Sequence, residues 1–251
     1  MSVTGGKKLA RGTGPFTPTR VKSRRWLGAI LAAGMALGLL RAQSPEIDLP
    51  RPGNIIATDV TGEVTMITGD QRRLLKTDDR VRVGATLTTG RRSMVTLLLS
   101  NGATLQLGSE SELELEEFGQ APVSGSIKFA ELKAEPTLSR TRLRLARGDV
   151  LVNVKPLKVA KGSLFTLTTL AGTVRLAEGV FRAMERMHDL GLGVCSVEVT
   201  TGAVEFEAVG AAAFVPVAAG RKLAYAIELD KSGAVKIGEM PKPPPETTKR
   251  K

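Results

Sequence analysis

Apolar and polar side chains alternate along residues 53–118, and this alternation is the feature that most constrains the fold. Short runs of Val, Leu, Ile and Thr are separated by Gly, Asn and Asp. Successive side chains of a strand point to opposite faces, so a period of two is typical of a strand that buries one face. Between two such runs, Asn101-Gly102 predicts a hairpin closed by a type I′ turn, which needs positive φ at both central residues. The stretch therefore predicts a β-meander.

The alternation resumes after residue 141 and continues to residue 237. Strands are predicted over 141–154 and 163–169 and in several runs from 194 onward, with hairpin turns at Thr201-Gly202 and Ser232-Gly233. Aromatic residues make up only 4% of the chain, so the core is expected to be aliphatic. By its residues alone, the segment 177–190 fits either a helix or a strand, because Phe181, Met184 and Met187 also recur at helical spacing.

Residues 118–139 interrupt the pattern with Gly, Pro, Ser and scattered charges, which predicts a long connection. A short hairpin around residues 126–132 is an alternative for part of it. On either side of this connection stand two rows of like charge: Glu110, Glu112, Glu114 and Glu116 before it, and Arg140, Arg142 and Arg144 after it. Opposite charges on adjacent strands stabilise a register. We expect the two rows to be antiparallel neighbours in one sheet; two independent solvated faces are the alternative.

The first 42 residues differ from the rest of the chain. Residues 1–25 are basic and have little to bury, and residues 26–40 form an uninterrupted apolar run of fifteen residues. That length favours a signal peptide within residues 26–42 over a spanning helix of about 20 residues, with an uncleaved inner-membrane anchor through residues 26–40 as the alternative. Arg24-Arg25 leaves twin-arginine export open beside the general route. Either reading predicts that the remainder is periplasmic or otherwise extracytoplasmic.

The high net charge of +11 is concentrated at the two ends of the chain. Residues 1–42 carry eight Lys and Arg and no acids, and residues 242–251 carry four basic residues and one acid. The remaining residues 43–241 therefore carry 24 basic and 24 acidic residues. A surface that follows nucleic-acid phosphates needs a basic excess on the folded domain. We therefore expect no nucleic-acid partner. A Pro-rich linker over residues 43–52 and a Pro- and Lys-rich tail over residues 238–251 bound the predicted β domain.

No set of residues predicts a catalytic, cofactor or metal site. His188 is the one histidine and lies in a charged segment typical of a surface turn, and the nearby Glu185 and Asp189 do not make a converging ligand set. Cys195 is alone and is expected to be a small buried residue. The aspartates at positions 70, 78 and 79 are typical turn residues without EF-hand spacing, and the glutamate row on one strand face does not straddle a cleft.

The order of the glycines and strands resembles the FecR domain over residues 53–237. The motifs that carry the resemblance are Gly62-Glu63-Val64, the run 83–90 (VGATLTTG), Ser93, Asn101-Gly102, 105–107 (LQL), 145–150 (LARGDV), 165–169 (FTLTT), 197–204 and 219–223 (AGRKL). The family's Gly-Val-Arg-Gly-Thr-like turn is replaced by GTVRLAEG at residues 172–179, so no role tied to that turn is carried over. The resemblance implies an all-β fold, a twisted meander of sandwich or solenoid type preceded by the hydrophobic N-terminal helix. It also implies a strand over residues 180–184 with its turn over 185–192.

The resemblance also implies a function. FecR-like proteins are membrane regulators that pair a cytoplasmic anti-sigma segment with a sensor domain outside. Here the basic segment of about twenty-five residues has no apolar periodicity. We therefore expect an exported, non-catalytic interaction module at the cell envelope, whose partner is an envelope protein or glycan. The alternatives are an anti-sigma regulator and an enzyme acting on wall glycans.

Overall fold

The computed structural model describes residues 52–125, 128–188, 191–232 and 234–240, without the side chain of Ala203. All of them belong to one unit, residues 43–251. The strands are β1 (Ile55–Thr61), β2 (Val64–Thr68), β3 (Gln71–Leu74), β4 (Arg80–Val81), β5 (Thr86–Thr89), β6 (Met94–Leu99), β7 (Thr104–Leu107), β8 (Glu112–Gln120), β9 (Ser139–Val154), β10 (Leu164–Thr168), β11 (Gly172–Met187), β12 (Leu192–Ala208), β13 (Val215–Ala218), β14 (Lys222–Leu229) and β15 (Val235–Glu239). Short 3-10 turns lie at Phe129–Glu131 and Val159–Lys161. The all-β class predicted from the sequence is confirmed.

The strands form one mixed sheet that is bent into two layers. Layer A has the order β3, β2, β5, β8, first half of β9, β10, start of β11, end of β12, β13. Layer B has the order β4, β1, β6, β7, second half of β9, remainder of β11, start of β12, β14, β15. The pair β9–β10 is parallel and the other described pairs are antiparallel. Three long strands therefore run from one layer into the other.

The core lies between the two layers and is mainly aliphatic, as the low aromatic content predicted, although it also holds four buried phenylalanines, Phe118, Phe165, Phe181 and Phe206. Along β6 every second side chain is buried, and buried apolar side chains from both layers form a single cluster. The ring of Phe206 in layer A stacks on that of Tyr225 in layer B, with centroids 5.2 Å apart. Burying one face of each layer is what the period-two pattern requires.

The predicted hairpin at Asn101-Gly102 exists, but its turn is not of type I′. Of the two residues only Gly102 has positive φ, at 88°. The amide of Gly102 donates to Leu99 O and the amide of Leu99 donates to Ala103 O, both at 2.9 Å, which encloses a three-residue loop. Such a loop needs one left-handed residue rather than two. The side chain of Asn101 is instead buried and donates to Ser139 Oγ in layer A at 3.1 Å.

The predicted hairpin at Thr201-Gly202 is wrong, because β12 continues through these two residues. Gly202 has a φ of 77°, and a Cβ atom there would lie 2.5 Å from the carbonyl oxygen of Glu178 on β11. This glycine permits the bend at which β12 leaves β14 and begins to pair with β13. A glycine in an apolar run can mark a bend of one strand as well as a turn between two. By contrast, β14 and β15 do form the second predicted hairpin, although Gly233 itself lies outside the described residues.

Two other predicted segments are partly corrected. Within the segment 177–190, residues 177–187 belong to strand β11, as the family resemblance implied for residues 180–184, and the turn begins later than residue 185. The long connection spans residues 121–138, and its described residues contain a 3-10 turn rather than a hairpin. Among the described residues no helix is long and apolar enough to cross a membrane. The apolar run 26–40, residues 43–51 of the predicted linker 43–52 and residues 241–251 of the predicted tail 238–251 lie outside the described residues.

Candidate functional site

An open groove lies where the two layers end in short edge strands. It has a volume of about 990 Å³ and lies between the β2–β3 hairpin of layer A and β4 of layer B. Its lining includes the apolar residues Ile55, Met66, Val81 and Val83 and the basic residues Arg72, Arg73, Arg80 and Arg82. We call this site the arginine groove.

The register of the hairpin explains why polar side chains face inward here. Arg73 is directly opposite Met66, and Gln71 is opposite Thr68, so these four residues share the inner face of layer A. Met66 is still buried, whereas the whole of β3 is exposed. The core thus ends at Met66, and the inner face continues beyond it as a polar surface.

Only one of the four arginines has an ion pair among the described residues. Arg73 Nη1 lies 2.6 Å from Asp79 Oδ2, and Arg73 Nη2 donates to the Arg80 carbonyl at 3.2 Å. The backbone amide of Lys76 also donates to Asp79 Oδ2, at 2.9 Å. This hydrogen bond, followed by that of Arg73, lowers the pKa of Asp79. Asp79 therefore closes a turn and fixes Arg73, as expected of a turn aspartate rather than a cation ligand.

A buried hydroxyl at the groove adds to the polar surface. The Oγ1 atom of Thr68 is buried and has no hydrogen-bond partner among the described residues. Thr68 lines the groove at the end of β2. Buried polar atoms are usually hydrogen-bonded, so an unpaired one beside a cavity is a ready contact for a ligand.

The sequence did not indicate the arginine groove. Its residues are 52–55 and several positions from 66 to 83, and each arginine taken alone is an ordinary exposed side chain. The one usable signal was the cluster Arg72-Arg73 and Arg80-Val81-Arg82 around a short hairpin. Whether these side chains converge depends on how the edges of the two layers are placed.

A smaller cavity of about 280 Å³ borders the long connection. Beside it Ser100 Oγ donates to Gln120 Oε1, which joins the β6–β7 turn to the end of β8. The buried carboxylate of Glu135 accepts hydrogen bonds from Ser139 Oγ at 2.7 Å, from Ser163 Oγ and from the amide of Lys158. These bonds tie the connection to β9 and to the loop before β10. The polar groups of this cavity edge are hydrogen-bonded to one another within the protein, so they form a network that supports the structure.

The interpretation of Glu185 as part of a surface turn is wrong. Glu185 lies on β11 inside the core, where its Oε2 accepts from the amide of Leu170 at 2.9 Å and its Oε1 has no partner among the described residues. Burial raises the pKa of Glu185 to about 7. The period of the strand places it there, because Phe181, Ala183 and Glu185 share one face.

The other chemical candidates stay apart. Cys195 is buried as predicted, burial raises its pKa to about 11, and its thiol donates to Thr169 Oγ1 at 3.4 Å. His188 is exposed, and Asp189 lies outside the described residues. In the part of the chain that the structure describes, no group of three or more His, Cys, Asp or Glu side chains is placed to hold a metal ion.

The two charged rows are antiparallel neighbours, as predicted. Across β8 and β9, Glu117 lies 3.0 Å from Arg142 and 3.9 Å from Arg140, Glu114 lies 3.8 Å from Arg144, and Glu112 lies 3.3 Å from Arg147. The glutamates of the row differ from the prediction. A bulge lies between Leu115 and Glu117, so Glu117 rather than Glu116 faces the arginines of β9. Glu110 instead lies in a turn with φ 54° and pairs with Arg91.

Comparison with known proteins gives one family and a distant structural likeness. The sequence model of the FecR protein family matches residues 85–205. Two crystal structures of a candidate anti-sigma factor from Parabacteroides distasonis are similar to this chain, with 14% and 12% identity and TM-scores of 0.40 and 0.39. Each alignment covers 61% of this chain, and the chain spans 59% of the length of those structures. No curated protein matches the sequence.

Proposed function

Because the chain carries a FecR domain over residues 85–205, we propose that it is an exported, non-catalytic interaction module of the cell envelope. The location rests on the basic segment followed by the apolar run 26–40. In this proposal residues 43–251 lie outside the cytoplasm, and residues 26–42 are either removed or anchor the protein in the inner membrane. The partner is an envelope protein or glycan.

The arginine groove is the observation that carries the binding function. Its lining includes the buried Met66 and Val81 and four arginines, and its volume of about 990 Å³ is of the size that ligand sites have. Arg72, Arg80 and Arg82 are exposed and have no ion pair among the described residues. Their charges are therefore available to a partner.

The surroundings of the reactive side chains favour binding over catalysis. The thiol of Cys195 is buried and stays protonated at neutral pH, since its pKa is raised to about 11. The exposed His188 is at a turn, where its amide donates to Leu192 O at 2.7 Å. Nucleophilic catalysis needs a nucleophile and a base within hydrogen-bond reach of each other, and neither residue supplies that arrangement.

Export is tested with a fusion of residues 1–60 to a reporter that is active only outside the cytoplasm. The proposal expects activity, and loss of activity when the apolar run is interrupted by two aspartates in place of Ala32 and Ala33. A fusion that is made in full length but stays inactive contradicts the location.

Binding is tested by affinity capture from envelope extracts, with the partners identified by mass spectrometry. The double variant Arg80→Gln/Arg82→Gln removes two groove charges, and Arg221→Gln is the matched control because Arg221 is an exposed arginine outside the groove. We expect a partner that the native chain and the control retain and that the double variant loses. Identical capture by all three proteins contradicts the assignment of function to the groove.

A transmembrane regulator of a sigma factor is the second candidate, and the family match favours it. In that case the basic residues 1–25 bind a cytoplasmic protein while the β domain senses a signal outside. Capture by an immobilised peptide of residues 1–25 separates the two candidates. A sigma factor retained by this peptide supports the regulator, and its absence leaves the envelope module.

A further inference from the structure

We propose that ionisation of Glu185 releases the β10–β11 turn, residues 169–171, from layer B, so that the domain opens locally as pH rises. The inference does not depend on the proposed binding function. Three observations carry it: a buried carboxyl group that lacks hydrogen-bond partners, its one hydrogen bond to the turn, and the small number of contacts that hold the turn in place among the described residues.

The carboxyl group of Glu185 is held inside the core without enough donors for a negative charge. Glu185 lies opposite Gly148 on β9 and Cys195 on β12, so strand pairing fixes its backbone on both sides. Its side chain is fully buried, and its Oε1 atom has no hydrogen-bond partner among the described residues. An ionised carboxylate accepts several hydrogen bonds, and burying it without them costs far more than burying the neutral acid. The ionised group therefore favours any motion that admits water.

The β10–β11 turn lies against this carboxyl group. The amide of Leu170 donates to Glu185 Oε2 at 2.9 Å, and the thiol of Cys195 donates to Thr169 Oγ1 at 3.4 Å. The turn joins β10 to the start of β11, which both belong to layer A, whereas Glu185 and Cys195 belong to layer B. These two hydrogen bonds therefore connect the layers, and one of them ends on the group that titrates.

The turn is attached less firmly than the strands around it. The amide and the hydroxyl of Thr169 donate to Gly172 O at 2.8 and 3.0 Å, which closes the turn on itself, and the amide of Val209 donates to Ala171 O at 2.8 Å. Leu170 is only half-buried and Ala171 is small, so release of the turn exposes little apolar surface. Local opening takes place where few contacts must be broken, and the turn meets that condition.

The surroundings of Glu185 give the direction of the pH effect. Burial raises the pKa of Glu185 to about 7, and the amide of Leu170 and the charge of Arg144 on β9 oppose that rise only in part. Cys195 on β12 keeps its proton, because burial raises its pKa to about 11, and residues 169–171 carry no charged side chain. Once the turn has opened, the carboxyl group returns toward its ordinary value of 4.5. Opening therefore becomes more favourable from about pH 4.5 to pH 7 and levels off above this window.

The test uses Cys195 as its probe, because it is the one cysteine of the chain and is buried beside the turn. The folded full chain is labelled with dithiodipyridine from pH 5 to pH 8. Each rate is divided by that of the urea-unfolded chain at the same pH, which removes the intrinsic effect of pH on the thiol. We expect this ratio to rise about a hundredfold between pH 5 and pH 7 and to level off above pH 7.

Variants and urea identify the group and the motion. Glu185→Gln should flatten the pH profile, and Glu228→Gln, at an exposed position of β14, should leave it as in the native chain. At low urea concentrations the labelling rate should change little, because a local opening exposes little surface, whereas labelling through global unfolding follows the full denaturant slope. Hydrogen exchange of the native chain gives a measurement without substitutions: at pH 7 the amides of Leu170 and Val209 should exchange at least about tenfold faster than that of Leu97 in β6, after correction for intrinsic rates.

Three results overturn the inference. The first is a labelling profile of Glu185→Gln that rises with pH as steeply as that of the native chain. The second is labelling of Cys195 with the urea dependence of global unfolding, which would mean that the turn does not open by itself. The third, which decides the question even if Glu185→Gln fails to fold, is equal protection of the Leu170 and Leu97 amides in the native chain at pH 7.

Discussion

Two glutamates on different strands show how position within the sheet decides the behaviour of a carboxyl group. Glu117 on β8 is half-buried at the layer surface and lies between Arg140 and Arg142. Glu185 on β11 is fully inside, beside one backbone donor, and its pKa is raised to about 7 because burial disfavours its charge. Glu117 therefore stabilises the fold through its charge, whereas Glu185 is stable in the core when it is neutral.

Glu185 should make the stability of the protein fall as pH rises. The folded chain keeps this proton up to about pH 7, whereas the unfolded chain loses it near the ordinary value of 4.5. Between these two pH values the folded state therefore binds more protons than the unfolded state. The contribution of Glu185 to the free energy of unfolding declines through this window by on the order of 3 kcal/mol. Glu185→Gln removes the titration but keeps an acceptor for Leu170.

Urea unfolding of the native chain and of Glu185→Gln at pH 5 and pH 8 checks this expectation. The variant should be close to the native chain at pH 5 and more stable at pH 8. A difference in unfolding free energy that is the same at both pH values contradicts the buried, neutral state of Glu185.

Glu117 and Glu116 give a second comparison of single residues. Glu117→Gln should destabilise the fold by about 1 kcal/mol, because it removes the carboxylate shared by two arginines, one of which is only 7% exposed. Glu116→Gln should have an effect near zero, since Glu116 is exposed and has no ion pair among the described residues. Chemical denaturation of both variants distinguishes them. Equal effects of the two substitutions would contradict the assignment of Glu117, rather than Glu116, as the glutamate that pairs with the arginines of β9.

At the scale of elements, the bends of β9, β11 and β12 turn one sheet into two layers. β11 and β12 bend side by side where Gly179 pairs with Gly202. The backbones approach so closely at this point that a side chain at Gly202 would meet the carbonyl of Glu178. The bend therefore depends on the absence of a Cβ atom as well as on the positive φ.

Gly202→Ala tests the close approach, with Gly210→Ala as its control. Both glycines have nearly the same φ, 77° and 79°, but a Cβ at Gly210 has nothing within 4 Å. Gly210→Ala should lower the free energy of unfolding by about 1 kcal/mol, from backbone strain alone. Gly202→Ala should lower it clearly more, by roughly 3 kcal/mol, because β11 and β12 must also move apart. Thermal and chemical unfolding measure both. Equal losses would show that φ alone governs the bend.

At the scale of the whole molecule, the charge of +11 belongs to the terminal segments rather than to the β domain. The arginine groove is a local exception within residues 43–241, which are balanced in charge. A local group of arginines can bind one acidic segment, whereas a polyanion such as DNA requires a longer basic surface.

Removal of residues 1–42 and 242–251 should therefore abolish any DNA binding shown by the full chain. Electrophoretic mobility shifts at low and moderate salt measure the effect. Tight, salt-sensitive binding by the trimmed protein would contradict the prediction, and its loss in Arg80→Gln/Arg82→Gln would then assign it to the groove.

The local pattern of the sequence determined the all-β class, the aliphatic core, the pairing of the glutamate and arginine rows and the burial of Cys195. Each of these follows from alternation along a strand or from charge on one face, which neighbouring residues specify. It did not determine whether a glycine ends a strand or bends it, so Thr201-Gly202 was predicted as a turn. Nor did the local pattern show that a bulge turns Glu117, rather than Glu116, toward the arginines of β9.

Only the tertiary structure decided that Glu185 is inside and that four arginines line one groove. The charged segment around Glu185 resembles a turn, yet β11 continues past it, because pairing with β9 and β12 holds this part of the strand in layer B. The groove forms where β3 and β4, which are distant in the sheet order, come to the same end of the two layers. Such features depend on contacts between residues far apart in the chain, and a pattern of neighbouring residues does not contain them.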